Sequence, residues 1–235
     1  MQVIAHRGAS AFAPENTLAA FKRALDMGAS AIEFDVHQTA DGELVVIHDS
    51  KLMRVAGKSW RIKDVSWKKL SEVDVGSWFG VDYAAEKIPR LDDVFDLVGD
   101  RAELHIEIKN GSLVYPGIEE NVVNAVNRRS MGNQSVISSF DHRALHAVRA
   151  LDKRLSLGYL LGWTPMADAF REMSQLDCES LNVSVSQATK VKARESHNKG
   201  FKILVYTVTN RLQLEKMKKL GVDGIFANDP AILSK

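Results

Sequence analysis

Two carboxylates spaced two residues apart on an apolar strand are the first chemistry this chain offers. In the run 32–49, I-E-F-D-V-H-Q-T-A-D-G-E-L-V-V-I-H-D, Ile32, Phe34 and Val36 point one way while Glu33 and Asp35 point the other. Such a pair sets two hard oxygen ligands side by side, the donor type that Mg²⁺ and Ca²⁺ prefer. A turn at Asp41-Gly42 leads to a second apolar run, 44–47, which ends in His48-Asp49. Two further segments repeat the pattern. The stretch V-I-A-H-R-G at 3–8 ends in His6-Arg7-Gly8, and E-L-H-I-E-I-K at 103–109 sets Leu104, Ile106 and Ile108 against Glu103, His105, Glu107 and Lys109. A buried strand with four polar residues on one face cannot pack that face on an apolar layer, but it can line the mouth of a barrel. The strand ends therefore supply three acids, two imidazoles and two cations, a set suited to metal-assisted phosphate chemistry.

The elements that position these groups follow from the rest of the pattern. At 235 residues the chain falls in the range of one α/β barrel, and we expect a single domain over 1–235. Helices are predicted near 17–27, with Asn16 as N-cap and Leu18, Phe21 and Leu25 as the inward stripe, and near 91–98. Beyond residue 100, strands near 103–108, 135–139, 155–160, 180–184, 202–206 and 224–227 alternate with helices near 118–129, 141–151, 165–175, 187–199 and 210–220. That rhythm predicts a parallel sheet closed as an irregular (β/α)8 TIM barrel, with chemistry at the C-terminal ends of its strands. Ser138-Ser139-Phe140, Tyr206-Thr207 and Asn228-Asp229 fall at such ends too.

Nine strand candidates compete for eight places, and the runs at 44–47 and 180–184 are the ones expected to be short or irregular. The link of about six residues after the second strand is too short for a crossover helix, so the path by which the third strand returns stays open. Residues 51–88 break the rhythm with polar turns and Trp60, Trp67 and Trp78. They read as an excursion inserted after the third strand, with one short helix near 67–72, shaping access to the mouth.

Composition excludes several function classes. With 45% hydrophobic and 26% charged residues the chain is not disordered, and 31 basic against 30 acidic residues give it no broad footprint for nucleic acid or an anionic membrane. The single cysteine, Cys178, forms no internal disulfide and fits a reducing compartment. A strand beginning by Val3 and the lack of an 18-residue apolar run argue against a leader and against stable membrane insertion, so a cytoplasmic location is expected.

The motifs H-R-G (6–8), P-E-N-T (14–17), E-F-D (33–35), H-D (48–49) and E-I-K (107–109), with looser S-S-F (138–140), V-Y-T-V (205–208) and G-V-D-G-I (221–225), together resemble the glycerophosphodiester phosphodiesterases. They stand in the family's order over nearly the whole chain. The resemblance implies metal-dependent hydrolysis of small glycerophosphodiesters to sn-glycerol 3-phosphate and an alcohol, with one divalent cation, Mg²⁺ or Ca²⁺. It implies Glu33, Asp35 and Glu107 as metal ligands, His6 and His48 as acid and base, and Arg7 and Lys109 as phosphate clamps. In the family picture the glycerol 2-hydroxyl attacks first, through a cyclic phosphate. The chain departs from the family at Arg54-Val55-Ala56-Gly57, where Arg-Thr-Thr-Gly is frequent, and at Ala227-Asn228, where Thr-Asp is usual.

Two other functions compete. A related barrel phosphodiesterase for lysophospholipids or phosphoinositides would share the histidines and acids, and Trp60, Trp78 and Phe79 would suit an apolar rim. A non-catalytic phosphate-binding barrel would lack one of those groups, and none is missing. His105 shares a strand face with Glu107 and is a candidate to support the site. His37, His142, His146 and His197 are expected to cap, pack or face solvent. Glu15 and Asn16 are expected to order the loop after the first strand.

Overall fold

The computed structural model describes residues 1–233. The chain runs β1 (Gln2–His6), α1 (Leu18–Asp26), β2 (Ala31–Gln38) and β3 (Leu44–Val46), then enters the excursion with α2 (Met53–Ala56) and α3 (Trp67–Leu70). It continues through α4 (Leu91–Val98), β4 (Glu103–Ile108), α5 (Gly111–Val114), α6 (Ile118–Arg128), β5 (Ser135–Ser139), α7 (His142–Leu151) and β6 (Ser156–Leu160). The last elements are α8 (Met166–Leu176), β7 (Ser180–Ser184), α9 (Lys190–Asn198), β8 (Lys202–Val208), α10 (Arg211–Leu220) and β9 (Gly224–Ala227). Eight strands, β1, β2 and β4 to β9, pair in parallel and close through β1–β9 and β1–β2. This is the expected TIM barrel with an insertion behind its third strand.

The ninth strand explains the irregularity. β3 lies antiparallel on β2, pairing Val36 with Val46 and Gln38 with Leu44. It is a return arm outside the barrel wall. Its two faces are both apolar because they belong to two cores: Leu44 and Val46 join the main core, while Val45 and Ile47 join a smaller one with Leu52, Val55, Ile62, Leu70 and Ile88. An uninterrupted L-V-V-I run is what that position demands. The 180–184 run proves to be a regular barrel strand, paired over five residues with β8, contrary to the expected irregularity.

Two details of the first βα unit also differ from expectation. Thr17, not Asn16, caps α1, accepting from the Ala20 N–H at 3.2 Å. The buried stripe is Ala20, Phe21 and Ala24, whereas Leu18 is exposed and Leu25 only half-buried. At Ala20 the helix lies too close to the barrel for a larger side chain: a Cβ on Gly8 would stand 2.7 Å from the Ala20 carbonyl carbon. The 187–199 helix is shorter than predicted because Thr189 caps it, and the excursion's helix ends at Leu70.

Candidate active site

Strand register brings the acids together. His6 lies opposite Glu33 on β1 and β2, and Asp35 lies opposite Glu107 on β2 and β4. Since alternate residues face inward, all four point into the barrel near its C-terminal end. Oxygen atoms of Glu33, Asp35 and Glu107 lie within 4.8 Å of one another, and all three side chains are buried. Lys109 Nζ lies 2.9 Å from Asp35 Oδ1 and 2.6 Å from Glu107 Oε1. Arg7 Nε approaches Asp35 Oδ2 at 3.2 Å, and the Arg7 N–H donates to Glu33 Oε2 at 3.0 Å. That backbone bond needs a left-handed turn: Arg7 sits at φ 56° and Gly8 at φ 82°, and Gly8 has no room for a side chain. A non-glycine residue held in that region while aiming a donor into the mouth is a candidate functional position.

The electrostatics show what the cluster lacks. Burial, then the charges of Asp35 and Glu107, raises the Glu33 carboxyl well above the ordinary range. Burial and Asp35 push Glu107 up to about 7. Burial also opposes the charge on Asp35, but Lys109 and then Arg7 hold its carboxyl below the usual range. Two internal cations thus stabilise one carboxylate fully, and the other two remain destabilised as anions. A divalent cation held by the three acids would supply the missing charge, and hard oxygen donors are the set Mg²⁺ and Ca²⁺ take.

Two imidazoles flank the acids on different supports. His6 Nδ1 donates to Asn228 Oδ1 at 2.8 Å, and its Nε2 lies 3.9 Å from Glu33 Oε2. Burial and then the neighbouring Arg7 lower its pKa to about 4, so the ring is neutral at pH 7. His48 owes its place to the antiparallel return: β3 runs back down the mouth, and the Ile47 N–H donates to the Asp35 carbonyl at 2.9 Å. Its Nδ1 bonds to the Asp49 carboxylate at 2.6 Å, and Asp49 is in turn held by Arg54 at 2.7 Å. Burial lowers the His48 pKa as well, with Asp35 and Asp49 working against the shift.

The structure brings together all seven residues singled out in the sequence. Glu15 bridges Arg7 and Arg54. Asn16, in the left-handed region at φ 58°, donates to Asp35 Oδ2 at 2.8 Å and so orients the acid instead of capping α1. His105 does not join the site; its Nε2 bonds Glu103 Oε1 at 2.6 Å and its ring meets Phe226 edge-on, one inward step below Glu107. His37, expected to cap, pack or face solvent, supports His48 directly. Its Nε2 donates to the His48 carbonyl at 3.0 Å, so its Nδ1 must accept from the Tyr115 hydroxyl at 2.6 Å. Nothing in the spacing of V-H-Q distinguishes that histidine. Its one signal is its parity, since it continues the face of β2 that carries Glu33 and Asp35.

Two cavities meet at this cluster. An inner one of about 160 Å³ is lined by His6, Arg7, Glu33, Lys109, Tyr206 and Phe226 among others, and an outer groove of about 960 Å³ by Met53, Arg54, Leu113, Asp141 and Arg143. His48, Glu107, Lys109 and Phe140 line both, whereas His6 faces the inner one alone.

A parallel barrel with acids, cations and paired imidazoles at its C-terminal mouth defines a barrel phosphodiesterase. Residues 6–232 match the glycerophosphoryl diester phosphodiesterase family, and the chain belongs to that family. It is 39% identical over 232 residues to a glycerophosphodiester phosphodiesterase of Caldanaerobacter subterraneus subsp. tengcongensis, covering 98% of this chain and 95% of the relative. It is 34% identical over 232 residues to the glycerophosphodiester phosphodiesterase of Bacillus altitudinis, covering 97% and 95%. Among solved structures it resembles an Oleispira antarctica phosphodiesterase in complex with the product sn-glycerol-3-phosphate, with TM-score 0.90, 30% identity and coverage of 100% and 96%.

Proposed function

We propose that this mouth hydrolyses small glycerophosphodiesters to sn-glycerol 3-phosphate and an alcohol. The observation that carries the reading is the convergence of three buried acids, Arg7 and Lys109 between two differently supported histidines. Glu33, Asp35 and Glu107 would hold one divalent cation, Mg²⁺ or Ca²⁺. When bound, that ion neutralises phosphate charge and acidifies a bound hydroxyl. Arg7 and Lys109 hold the non-bridging oxygens and stabilise the charge that builds on them in the transition state.

The supports of the two imidazoles favour different roles for them. Asn228 accepts from His6 Nδ1–H, which leaves Nε2 unprotonated and turned toward the acids. A neutral imidazole with a free lone pair is a base, and His6 removes the proton of the attacking hydroxyl. His48 carries a carboxylate behind it, which favours the protonated ring. It also stands where the inner cavity opens into the outer groove. The inner cavity has the size of glycerol phosphate, so the leaving alcohol lies in the groove and His48 protonates its oxygen. Residues 51–88 form one wall of that groove through Lys51, Met53 and Arg54 and set which alcohols are admitted.

The family and the small inner cavity favour deacylated substrates over lysophospholipids, whose glycerol carries an acyl chain. A place in lipid and glycerol metabolism and a cytoplasmic location are consistent with this substrate. The test is a coupled glycerol 3-phosphate assay across glycerophosphocholine, glycerophosphoethanolamine and glycerophosphoglycerol, beside an assay of head-group alcohol release from a lysophospholipid, whose phosphate product keeps its acyl chain. Turnover of the first three supports the reading, and turnover of the lysophospholipid alone overturns it.

A further inference from the structure

Large apolar side chains stand exposed mainly at one end of this molecule. Met53, Trp78, Leu113, Val114, Phe140 and Trp163 all lie on loops or short helices that follow strand C-terminal ends. The opposite end of the barrel offers only Met1 and Leu151 among the described residues. The six form a connected rim. Met53, Leu113, Val114 and Phe140 border one groove, Phe140 packs beside Gly162 next to Trp163, and Arg54 lies over the Trp78 ring at 5.8 Å. Trp163 is fully exposed. Holding an indole in water at the tip of a loop forgoes the burial that a tryptophan normally gains.

Charge is distributed to match. Residues 51–90 carry nine of the 31 basic but only five of the 30 acidic residues, net +4 in a chain of net +1, so the remainder is net −3. Within that segment Trp60 lies between Lys58 at 4.9 Å and Lys69 at 4.0 Å, on the same flank as Arg54 and Trp78. Aromatic rings interleaved with lysine and arginine, on a protein in which no described helix can cross a bilayer, match the interfacial zone of an anionic membrane.

We propose that the mouth face seats reversibly on an anionic lipid surface, with the Trp163 indole at headgroup depth and the basic excursion against the lipid phosphates. The proposal goes beyond the catalytic reading and does not depend on it. Its test is binding of the full chain to phosphatidylglycerol/phosphatidylcholine vesicles by co-sedimentation, with tryptophan emission as a second readout. Binding is expected to fall as salt rises and to be weak on pure phosphatidylcholine. Lys58→Glu should weaken it roughly fivefold or more, the effect of one surface cation near anionic lipid. Trp163→Ala should weaken it severalfold and remove the emission shift, while turnover of a soluble diester stays unchanged in both variants. Absence of vesicle binding at low salt overturns the proposal. So does binding that Lys58→Glu weakens but Trp163→Ala leaves intact, which would make the face a general polyanion site. Self-association in solution that Trp163→Ala abolishes would assign the rim to a second copy of the chain and overturn it equally.

Discussion

Replacing Asn228 by aspartate probes how His6 is kept unprotonated. The Asn228 amide oxygen lies 2.8 Å from His6 Nδ1 and holds the proton there without adding charge. Burial and Arg7 then keep the ring's pKa at about 4. Asn228→Asp puts a carboxylate at the same place, as His48 has in Asp49. At about 4 Å and an effective dielectric near 20, the attraction between imidazolium and carboxylate is about 4 kcal/mol. That corresponds to a rise of about 3 pK units at 1.36 kcal/mol per unit, and burying the new carboxylate opposes it, leaving about 1–2 units. The sign is fixed: a base works deprotonated, so the acid limb of kcat/KM should move up from about 4 toward 5–6. The assay is glycerol 3-phosphate release from pH 3.5 to 9, with Asn228→Ala as the variant that removes the acceptor without adding charge. An acid limb that stays put or moves down in Asn228→Asp refutes the assignment of His6 as the base.

Three further outcomes follow from the same geometry. His6→Ala and His48→Ala should each lower kcat on the order of 10²–10⁴ with substrate binding largely kept, and a p-nitrophenyl diester should rescue only His48→Ala; rescue of His6→Ala instead would exchange the two roles. Gly8→Ala should destabilise the fold by about 2–4 kcal/mol in urea unfolding, because φ is 82° and the new methyl meets Ala20; a change below about 0.5 kcal/mol would mean the turn relaxes freely. Replacing residues 51–88 by a short turn in a variant that still folds should reorder the head-group alcohols with both histidines still functional, and an unchanged substrate profile would make the excursion purely structural.

The chemistry was more legible in the sequence than the path that assembles it. Period-two alternation names the inward residues directly, so Glu33, Asp35, His105 and Glu107 could be read as facing one way. Alternation does not say how far up the barrel each residue stands, and His105 falls one step too low to join the site. His48 was found from its neighbours, but its delivery by an antiparallel return depends on a pairing that propensity cannot distinguish from a ninth barrel strand. Asn16 looked like a cap because it precedes a helix, while Thr17, one residue later, has the right backbone and Asn16 is free to orient Asp35. His37 and Asn228 were the hardest to assign, because each acts only through a histidine distant in sequence, and no local pattern records that contact.

The central claim is that Glu33, Asp35 and Glu107 together hold a divalent cation on which turnover depends. It is tested most directly by removing all metal with a chelator, exchanging the chelator away, and titrating Mg²⁺ or Ca²⁺ back while following both heat of binding and release of glycerol 3-phosphate. The account predicts one ion bound per chain, turnover lost on stripping and restored in step with binding, and neither signal in Glu33→Ala, Asp35→Ala or Glu107→Ala that remain folded by circular dichroism. Full turnover in the stripped protein, or binding unchanged in the three variants, would contradict it.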